Sequence, residues 1–371
     1  MTHAPIAFDT TIAKLGRAGP SVYITNLRRA LEALLRDRLH VVCSRWVAPL
    51  GAQRTWGDRA RTLFRDLWWH QAGAVRAARR AGCALLHLPA DLGPIRGRFP
   101  LVLTVHDLAV LRFPQLFRPW HGAYARFVLP RVARRARVVI AVSAATKQDV
   151  VELLGVPEER VRVIPNGLPL AVGPVAADSE RAQAVRARYA LPARFVLTVG
   201  SVEPRKNLRR LIEAMGLVAE RPKGRDVALV HAGPAGWLSG DIPDLIREHG
   251  NGRVRFLGHV ATEDLAVLYC LARCCAYPSL WEGFGFPVLE AMASRCPVLT
   301  SNVSSLPEVA GDAALLVEPT STEEIADGLI RLWTDDSLCE QLVQRGIERA
   351  KQFSWERAAA ETAAVYNAAL S

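Results

Sequence analysis

Short apolar runs recur along the chain, and the segments between them carry apolar residues at helical spacing. Runs of this length predict buried strands that alternate with helices, which is typical of parallel α/β sheets. The first series of predicted strands comprises His40–Cys43, Ala84–Leu88, Leu101–Val105, Val138–Val142 and Val161–Pro165. The second series comprises Phe195–Gly200, Val227–Gly233, Val254–Gly258, Cys275–Pro278, Pro297–Ser301 and Ala314–Val317. Two such series predict two Rossmann-like parallel-sheet domains.

A linker between the two domains is indicated by Leu168–Asp178, which contains proline and glycine and has no amphipathic period. It places a first domain at residues 1–170 and a second at residues 178–353. Ligands of such sheets bind at the carboxyl ends of the strands, so we expect the two domains to face a cleft that holds the site.

The last segment, residues 354–371, predicts a helix. Ser354 is a suitable N-cap, and Arg357 and Glu361 are spaced to form an ion pair four residues apart on the helix surface.

The length and composition are those of a two-domain globular protein. The chain has 371 residues, of which 50% are hydrophobic and 22% charged. Its apolar runs are shorter than the roughly 18 residues that span a bilayer, and its N-terminus lacks the pattern of a signal peptide. The seven cysteines are an odd number without the spacing of a metal site, so we expect them in the core of a cytoplasmic protein.

Positive charge is concentrated in the first half of the chain. Residues 1–175 contain 26 Lys and Arg against 11 Asp and Glu, a balance of +15, whereas residues 176–371 contain 21 against 25, a balance of −4. This asymmetry indicates an anionic partner, and the chain has no nucleic-acid-binding motif. Arginines interleave with aromatic residues in Arg65–Arg80 and Arg112–Arg137. The mixture suits an anionic membrane surface, and a solvated basic face remains an equal alternative.

The most specific chemistry lies in the segment EGFGFPVLE, residues 282–290. It follows a predicted strand, and its Pro287 suits the first position of a helix. Gly283 and Gly285 let backbone N–H groups approach a ligand at that helix N-terminus, where anions bind. Two carboxylates beside the same place would repel a phosphate, so we expect them to accept hydrogen bonds from hydroxyl groups. A ligand with a phosphate and many hydroxyls is a sugar nucleotide.

A simpler interpretation of this segment is also open. Glu290 could merely suit the helix dipole from the first turn, and Glu282 could be a solvated loop residue. That interpretation leaves Phe284 and Phe286 without a packing partner, because aromatic rings in a surface loop need something to pack against.

Two adjacent cations, Arg205 and Lys206, follow the predicted strand Phe195–Gly200 and precede a predicted helix whose N-cap is Asn207. Cations at a helix N-terminus are unfavourable by roughly 0.3–1 kcal/mol each. A bound anion reverses that sign and accepts charge-assisted hydrogen bonds, so this pair indicates an anion site. Lys206 is also one of few lysines in a chain that otherwise uses arginine.

Three further candidate residues lie in the first half of the chain. His106 follows the predicted strand Leu101–Val105 and so is expected at a strand's carboxyl end, facing the cleft. Gly16 and Gly19 are candidates for a close approach to donor or acceptor, and a plain turn is an equal alternative for them.

These segments resemble glycosyltransferase family 4, a family of retaining enzymes with the GT-B fold. The resemblance is dense over Phe195–Pro319, in FVLTVGSVEPRKNLRRLIEAM, AGPAGW, VRFLGHV, YPSLWEGFGFPVLEAMAS and PVLTSNVSSLPEVAGDAALLVEP. It continues more loosely through TVHDL, VSAAT and VIPNG in the first half. It implies a GT-B fold whose C-terminal helix, residues 354–371, crosses back onto the first domain.

The resemblance also implies roles for the candidate residues. Lys206 matches the family's diphosphate-binding lysine, Glu290 its ribose-binding carboxylate, and Glu282 the residue that contacts the donor sugar. The backbone N–H groups of Phe284, Gly285 and Phe286 match the loop that holds the sugar and the distal phosphate, and His106 matches a histidine near the reacting sugar. The family often has arginine directly after the strand glycine, where this chain has Ser201, and Arg205 is the candidate to compensate.

We therefore expect a retaining hexosyltransferase with Lys206, Glu282 and His106 as its catalytic residues. The best candidate for the donor is GDP-mannose, and the acceptor is expected to be a lipid-linked sugar or glycan in surface polysaccharide biosynthesis. Because no Asp-x-Asp motif is present, no metal or other cofactor is expected. The enzyme would be cytoplasmic, peripheral on the inner face of the membrane. The alternatives are a soluble GT-B synthase or phosphorylase acting on sugar phosphates, and a non-catalytic sugar-nucleotide-binding subunit.

Overall fold

The computed structural model divides the chain into two compact units. Unit 1 is Met1–Gly167 together with Ser354–Ser371, and unit 2 is Leu168–Phe353. The structure describes residues 4–15, 18–44, 65–117, 119–169, 174–176, 178–234, 236, 240, 242–250 and 252–371. Among these residues no helix combines the length and the apolar character needed to cross a bilayer.

Unit 1 is built on a parallel sheet. The strands are β1 (Ile6–Asp9), β2 (Leu39–Val42), β3 (Leu85–Leu88), β4 (Leu101–Val105), β5 (Val138–Ala141) and β6 (Val161–Val163). The helices are α1 (Ala18–Leu35), α2 (Ala74–Arg80), α3 (Ala109–Arg112), α4 (Pro119–Phe127), α5 (Leu129–Arg135) and α6 (Ala144–Leu154), and a π-helical segment (Arg65–Gly73) precedes α2. The strand order is β2-β1-β3-β4-β5-β6, so the direction of winding reverses between β1 and β3.

The predicted strands of unit 1 are confirmed to within two residues at each end, and β1 is an addition to them. This strand pairs in parallel with both β2 and β3, and all four of its residues are buried. Its apolar run is only three residues long and ends in Asp9, a residue that is unusual inside a sheet. The carboxylate of Asp9 is satisfied by the side chain and N–H of Thr11 and by Trp69 Nε1, contacts that local sequence does not indicate.

Unit 2 carries the second parallel sheet. Its strands are β7 (Val196–Val199), β8 (Leu229–Ala232), β9 (Val254–Phe256), β10 (Cys274–Tyr277), β11 (Val298–Ser301) and β12 (Leu315–Val317). Its helices are α7 (Glu180–Arg188), α8 (Leu208–Glu220), α9 (Ile242–His249), α10 (Thr262–Leu271), α11 (Phe286–Ala293), α12 (Leu306–Ala310), α13 (Thr322–Thr334) and α14 (Asp336–Ala350). The order β12-β11-β10-β7-β8-β9 is that of a Rossmann sheet. The switch point lies between β7 and β10, and ligands of such sheets bind beyond the carboxyl ends of the strands there.

The chain ends in α15 (Trp355–Leu370), which belongs to unit 1 and packs against α1. Ser354 Oγ accepts a hydrogen bond from Arg357 N (3.1 Å), and Arg357 Nε donates to Glu361 (2.8 Å), as the sequence predicts. Gly167, the last residue of the VIPNG segment, has a steric role at the start of α15. A Cβ atom on Gly167 would lie 2.4 Å from the backbone nitrogen of Trp355, so only glycine allows the helix to begin there.

We predict that Gly167→Ala destabilises unit 1 by about 1–3 kcal/mol, because the added methyl group forces two backbone segments apart. Chemical denaturation followed by circular dichroism measures this change. Gly122→Ala is the matched control, since a Cβ atom there meets no atom of the described residues within 4 Å and alanine favours its helix. An unchanged free energy of unfolding for Gly167→Ala would contradict the steric role.

Candidate active site

The loop after β7 brings two cations to the switch point of unit 2. Pro204–Lys206 forms one turn of 3-10 helix, and α8 begins after Asn207. The prediction that the Asn207 side chain caps α8 is wrong, because Asn207 is left-handed (φ 61°) and an N-cap has extended geometry. Its Nδ2 instead donates to the carbonyls of Pro278 (2.9 Å) and Pro319 (2.6 Å). Asn207 therefore ties the loop after β7 to the chain that leaves β10.

The carboxylate of Glu282 is the centre of the site. Lys206 Nζ donates to its Oε1 (2.7 Å) and Arg205 Nη1 to its Oε2 (2.8 Å). Ser279 Oγ (2.6 Å) and Tyr277 OH (2.8 Å) also donate to Oε1. The side chain of Glu282 is only 7% exposed, so the interpretation of Glu282 as a solvated loop residue is wrong.

The electrostatics of the cluster follow from this geometry. Burial alone raises the pKa of Glu282, but the charges of Arg205 and Lys206 outweigh burial and lower it to about 2. Burial and the like charge of Arg205 lower the pKa of Lys206. Arg205 Nε also lies 3.3 Å from a carboxylate oxygen of Glu203. Two cations are thus paired with two carboxylates, and the cation side chains keep 16–17% of their surface exposed at the edge of the cluster.

The loop after β10 is held in shape by side chains of the same unit. Ser305 Oγ donates to the carbonyls of both Glu282 and Phe284 at 2.9 Å. The ring of Phe284 packs edge-on against Phe286 (5.3 Å between centroids) and against Phe353 (5.8 Å). These rings therefore pack against other rings of the protein, which is the packing that aromatic residues in this loop are expected to need.

The helix that follows this loop begins where the sequence predicts. Gly285 is its N-cap with φ 106°, and Pro287 lies in the first turn of α11. A Cβ atom on Gly285 would lie 2.7 Å from Leu306 Cδ2, so both backbone conformation and space require glycine. The first N–H groups of a helix have no intrahelical partner, which leaves this N-terminus suited to an anion.

Glu290 lies in the second turn of α11, and the first turn contains no acidic residue. The interpretation that Glu290 merely suits the helix dipole is therefore wrong, because that effect falls off within the first turn. Tyr269 OH donates to Glu290 Oε2 (2.9 Å). Burial raises the pKa of Glu290 to about 6, and the hydrogen bond from Tyr269 offsets part of that rise.

His106 belongs to unit 1 and follows β4 directly. Its Nε2 lies 2.9 Å from the carbonyl oxygen of Pro89. A carbonyl only accepts, so Nε2 carries the proton and Nδ1 is left as an acceptor when the ring is neutral. Burial lowers the pKa of His106, which favours the neutral ring. Its backbone N–H donates to Asp91 Oδ1 (3.2 Å), and its carbonyl accepts from Thr146 Oγ1 (3.3 Å).

Three residues that are not among the sequence-predicted candidates lie beside His106 and beside the two glutamates in the structure. Asp91, beside His106, has its pKa raised to about 8 by burial and then by the charge of Asp107. It follows a predicted strand, so the strand-end rule that selects His106 also selects Asp91. Tyr269 and Tyr277 are inside buried segments, and nothing in the local sequence indicates that their hydroxyl groups meet glutamates.

Of the two candidate glycines near the N-terminus, the structure describes only Gly19. Gly16 lies outside the described residues. Gly19 is in the first turn of α1, so a plain turn is the wrong interpretation for it. A Cβ atom on Gly19 would meet no atom of the described residues within 4 Å, so their packing does not require glycine there.

Comparison with known proteins identifies the family. The family model for group 1 glycosyl transferases matches residues 183–349, and the model for Glycosyltransferase Family 4 matches residues 17–172. The chain is 34% identical over 267 residues to O-antigen chain mannosyltransferase B of Escherichia coli, covering 71% of this chain and 69% of that one. The chain belongs to glycosyltransferase family 4.

Further similarity supports that membership and the fold. The MMP alpha-(1->4)-mannosyltransferase of Mycolicibacterium hassiacum is 31% identical to this chain over 322 residues, covering 81% of this chain and 74% of that one. The sucrose-phosphate synthase of Thermosynechococcus elongatus superposes with a TM-score of 0.77 at 24% identity, covering 98% of each chain. Anabaena HepE in complex with UDP-glucose gives 0.72 at 21% identity, covering 99% of this chain and 100% of the other. The predicted GT-B fold is confirmed.

We predict that the KM for a sugar-nucleotide donor rises as the pH falls below about 6. If Glu290 accepts hydrogen bonds from two donor hydroxyls, as the sequence predicts, it does so best as the ionised carboxylate, and its raised pKa places protonation in this range. The rise is expected to reach about tenfold per pH unit. Initial rates over a series of buffers measure it.

Glu290→Gln is the matched control for this pH dependence. Because burial already favours the neutral acid, the neutral amide is expected to preserve the fold, which circular dichroism checks. The variant should show a high KM that no longer depends on pH near 6. A parent enzyme whose donor KM stays constant through this range would contradict the assignment.

Proposed function

We propose that this family 4 glycosyltransferase is a retaining, metal-independent mannosyltransferase. It would transfer mannose from GDP-mannose to a lipid-linked or glycan acceptor in the biosynthesis of a surface polysaccharide, on the cytoplasmic side of the membrane. The observation that carries the proposal is the meeting of Arg205, Lys206 and Glu282 at the switch point of a Rossmann sheet. The mannosyltransferase names of both relatives support the choice of sugar.

The diphosphate of the donor is proposed to bind Lys206 and Arg205 at their exposed edge. The N–H groups of Phe284, Gly285 and Phe286, at the N-terminus of α11, would bind the distal phosphate. These groups are already held in place by the fold, so they can stabilise the charge that develops on the leaving group without reorganising. Because this charge is met by cations and amides, the reaction needs no metal ion in this proposal.

Glu282 is proposed to exchange partners when the donor binds. In the ligand-free protein its carboxylate accepts from both cations. A diphosphate competes for the same cations and carries more negative charge than one carboxylate. The carboxylate is then available to accept hydrogen bonds from hydroxyl groups of the sugar, while Ser279 and Tyr277 keep it in place.

Glu290 and His106 are proposed to orient the donor. Glu290, held by Tyr269, accepts hydrogen bonds from the two ribose hydroxyls. His106 has its proton on Nε2, bound to the Pro89 carbonyl, so its Nδ1 accepts a hydrogen bond from a hydroxyl of the sugar. This geometry favours an orienting role for His106 over proton donation, and the leaving phosphate is the proposed base for the acceptor hydroxyl.

Unit 1 is proposed to bind an anionic membrane through a basic and apolar surface called the α2 surface, which consists of residues 68–73 of the π-helical segment, α2 and residues 93–99. Trp68 is 40% exposed under the guanidinium of Arg76 (5.9 Å), and Ile95 is 38% exposed. Gln71 joins the π-helical segment to residues 93–99. Its Nε2 donates a hydrogen bond to the Gly93 carbonyl (3.0 Å), and its Oε1 accepts one from the Ile95 N–H (3.2 Å). The exposed arginines of the α2 surface are Arg76, Arg79, Arg80, Arg96 and Arg98.

Other arginines of unit 1 serve the fold. Arg134 Nε donates to the carbonyl of Leu154 (2.7 Å), and Arg135 donates to the carbonyls of Gly97 (2.9 Å) and Phe99 (3.2 Å). Replacing them would disturb these bonds, so a test of membrane binding has to use the α2 surface instead.

The donor and the chemistry are tested by hydrolysis and transfer assays over a panel of UDP-, GDP- and dTDP-sugars. We expect GDP-mannose to give the highest kcat/KM, an α-linked product by NMR, and equal rates with and without EDTA. Activity abolished by EDTA and restored by Mg²⁺ or Mn²⁺ would refute metal independence. Highest activity with another donor, or an inverted product, would refute the corresponding part of the proposal.

We predict that Lys206→Ala lowers kcat by roughly 10²–10³, which is the effect of losing one preorganised transition-state contact. Glu282 keeps its bonds from Arg205, Ser279 and Tyr277 in this variant, so the fold should persist. Lys223→Ala, at an exposed position of the same unit, is the control and should behave like the parent. A kcat for Lys206→Ala within a few-fold of the parent would overturn the diphosphate assignment.

We predict that the protein binds liposomes increasingly as their anionic fraction rises, and less as salt increases. Each arginine near the surface contributes about 1 kcal/mol, so the quadruple variant Arg76→Gln, Arg79→Gln, Arg96→Gln, Arg98→Gln should be released. Hydrolysis of a water-soluble donor should stay close to that of the parent, because these arginines are outside the proposed donor site.

A quadruple variant of unit 2 is the control for liposome binding, with glutamine at Arg209, Arg225, Arg295 and Arg331, which are also exposed. It removes the same charge and should bind liposomes like the parent. Release of both variants to the same extent would show that only net charge matters. Retention of the α2-surface variant on liposomes would show that the α2 surface is an ordinary solvated face. A parent protein that does not bind anionic liposomes would favour a soluble synthase.

A further inference from the structure

Unit 1 contains a chain of buried polar side chains that the proposed donor chemistry does not use. Tyr366 OH, on α15, lies 2.6 Å from His87 Nδ1, on β3. The other ring nitrogen, His87 Nε2, lies 2.8 Å from Thr104 Oγ1 on β4. Thr104 Oγ1 lies 3.0 Å from Tyr23 OH on α1. None of the four residues is more than 1% exposed.

These bonds depend on each other. Burial, and then the charge of His106, lower the pKa of His87 to about 3, so its ring is neutral and has one donor and one acceptor nitrogen. Thr104 has a single hydroxyl hydrogen to share between His87 and Tyr23. The donors therefore all point the same way along the chain, and removing one hydroxyl group leaves its buried neighbour unsatisfied.

The chain ends at the candidate site. The ring of Tyr23 meets the ring of His106 edge-on, with centroids 4.8 Å apart and planes at 84°. The same tyrosine ring meets Trp355, the first residue of α15, at 5.9 Å. Tyr23 is thus held at its hydroxyl by Thr104 and at its ring by α15, and it packs against the imidazole whose Nε2 is bound to Pro89.

We infer that Tyr366 and Trp355 of the C-terminal helix position the His106 imidazole through Tyr23, and so direct its Nδ1 at the substrate. The inference rests on the proposed role of His106. Displacement of a positioned group is amplified in a transfer reaction, because catalysis requires the reacting geometry to be met closely. Helix α15 therefore contributes two positioning residues in addition to covering the sheet.

The test is Tyr366→Phe, which removes one hydroxyl group and keeps the ring that packs against His87. We expect kcat to fall by about fivefold to tenfold, the effect of one lost hydrogen bond, with the donor KM unchanged. The ¹⁵N resonances of the His106 side chain should shift, because the ring moves against Tyr23. Tyr23→Phe should give the same pair of changes.

Thr362→Val is the matched control on the same helix. Thr362 is fully buried, and its Oγ1 has no hydrogen-bond partner among the described residues. It should keep the kcat and the His106 resonances of the parent. The inference is overturned if Tyr366→Phe leaves the resonances and kcat unchanged while lowering Tm, or if Thr362→Val lowers kcat equally.

His106→Ala separates this inference from the proposed function. If His106→Ala keeps full activity, the proposed role of His106 fails, and kcat then reports nothing about positioning. The His106 resonances of Tyr366→Phe still decide whether α15 positions the ring. If His106→Ala is inactive and Tyr366→Phe leaves both kcat and the resonances like the parent, only the positioning inference fails.

Discussion

The buried carboxylate of Glu282 is the constraint on which the proposed donor site depends. A carboxylate that is 7% exposed keeps a low pKa only when charged partners and hydrogen-bond donors surround it. Arg205 and Lys206 supply the charge, and they come from the loop after β7, whereas Glu282 follows β10. The two loops are therefore drawn together at the switch point. Asn207 and Ser305 hold that arrangement through backbone carbonyls, so the geometry exists before any ligand arrives.

The buried groups around Glu282 and around His106 are satisfied in different ways. In unit 2, ion pairs keep Glu282 charged, with a pKa of about 2. In unit 1, His87 and His106 are kept neutral by burial, and hydrogen bonds replace ion pairs. A charged cluster suits the binding of a diphosphate, and a neutral acceptor nitrogen suits a hydroxyl group.

The sequence predicts those features that depend on neighbouring residues. Apolar runs locate the strands of both sheets, and Pro287 locates the start of α11, because strand burial and helix starts leave local patterns. It fails where the deciding contact is distant. Asn207 is a residue type that often caps helices, but its side chain donates hydrogen bonds to the carbonyls of Pro278 and Pro319 instead. Strand β1 is three apolar residues and Asp9, and one of the two carboxylate oxygens of Asp9 is satisfied by Trp69, which is distant in sequence.

Ser201 stands where the family often has arginine, and the structure connects Ser201 to Arg205 through Glu203. Ser201 Oγ donates to Glu203 Oε1, and the other oxygen of Glu203 lies 3.3 Å from Arg205 Nε. A short hydroxyl group at position 201 leaves room for a glutamate that orients Arg205, whose other end donates to Glu282. Arg205 thus provides a guanidinium four residues after Ser201, and the carboxylates of Glu203 and Glu282 hold it. Since a carboxylate on each side fixes the plane of this guanidinium, the direction of its remaining N–H groups is set before the sugar nucleotide binds.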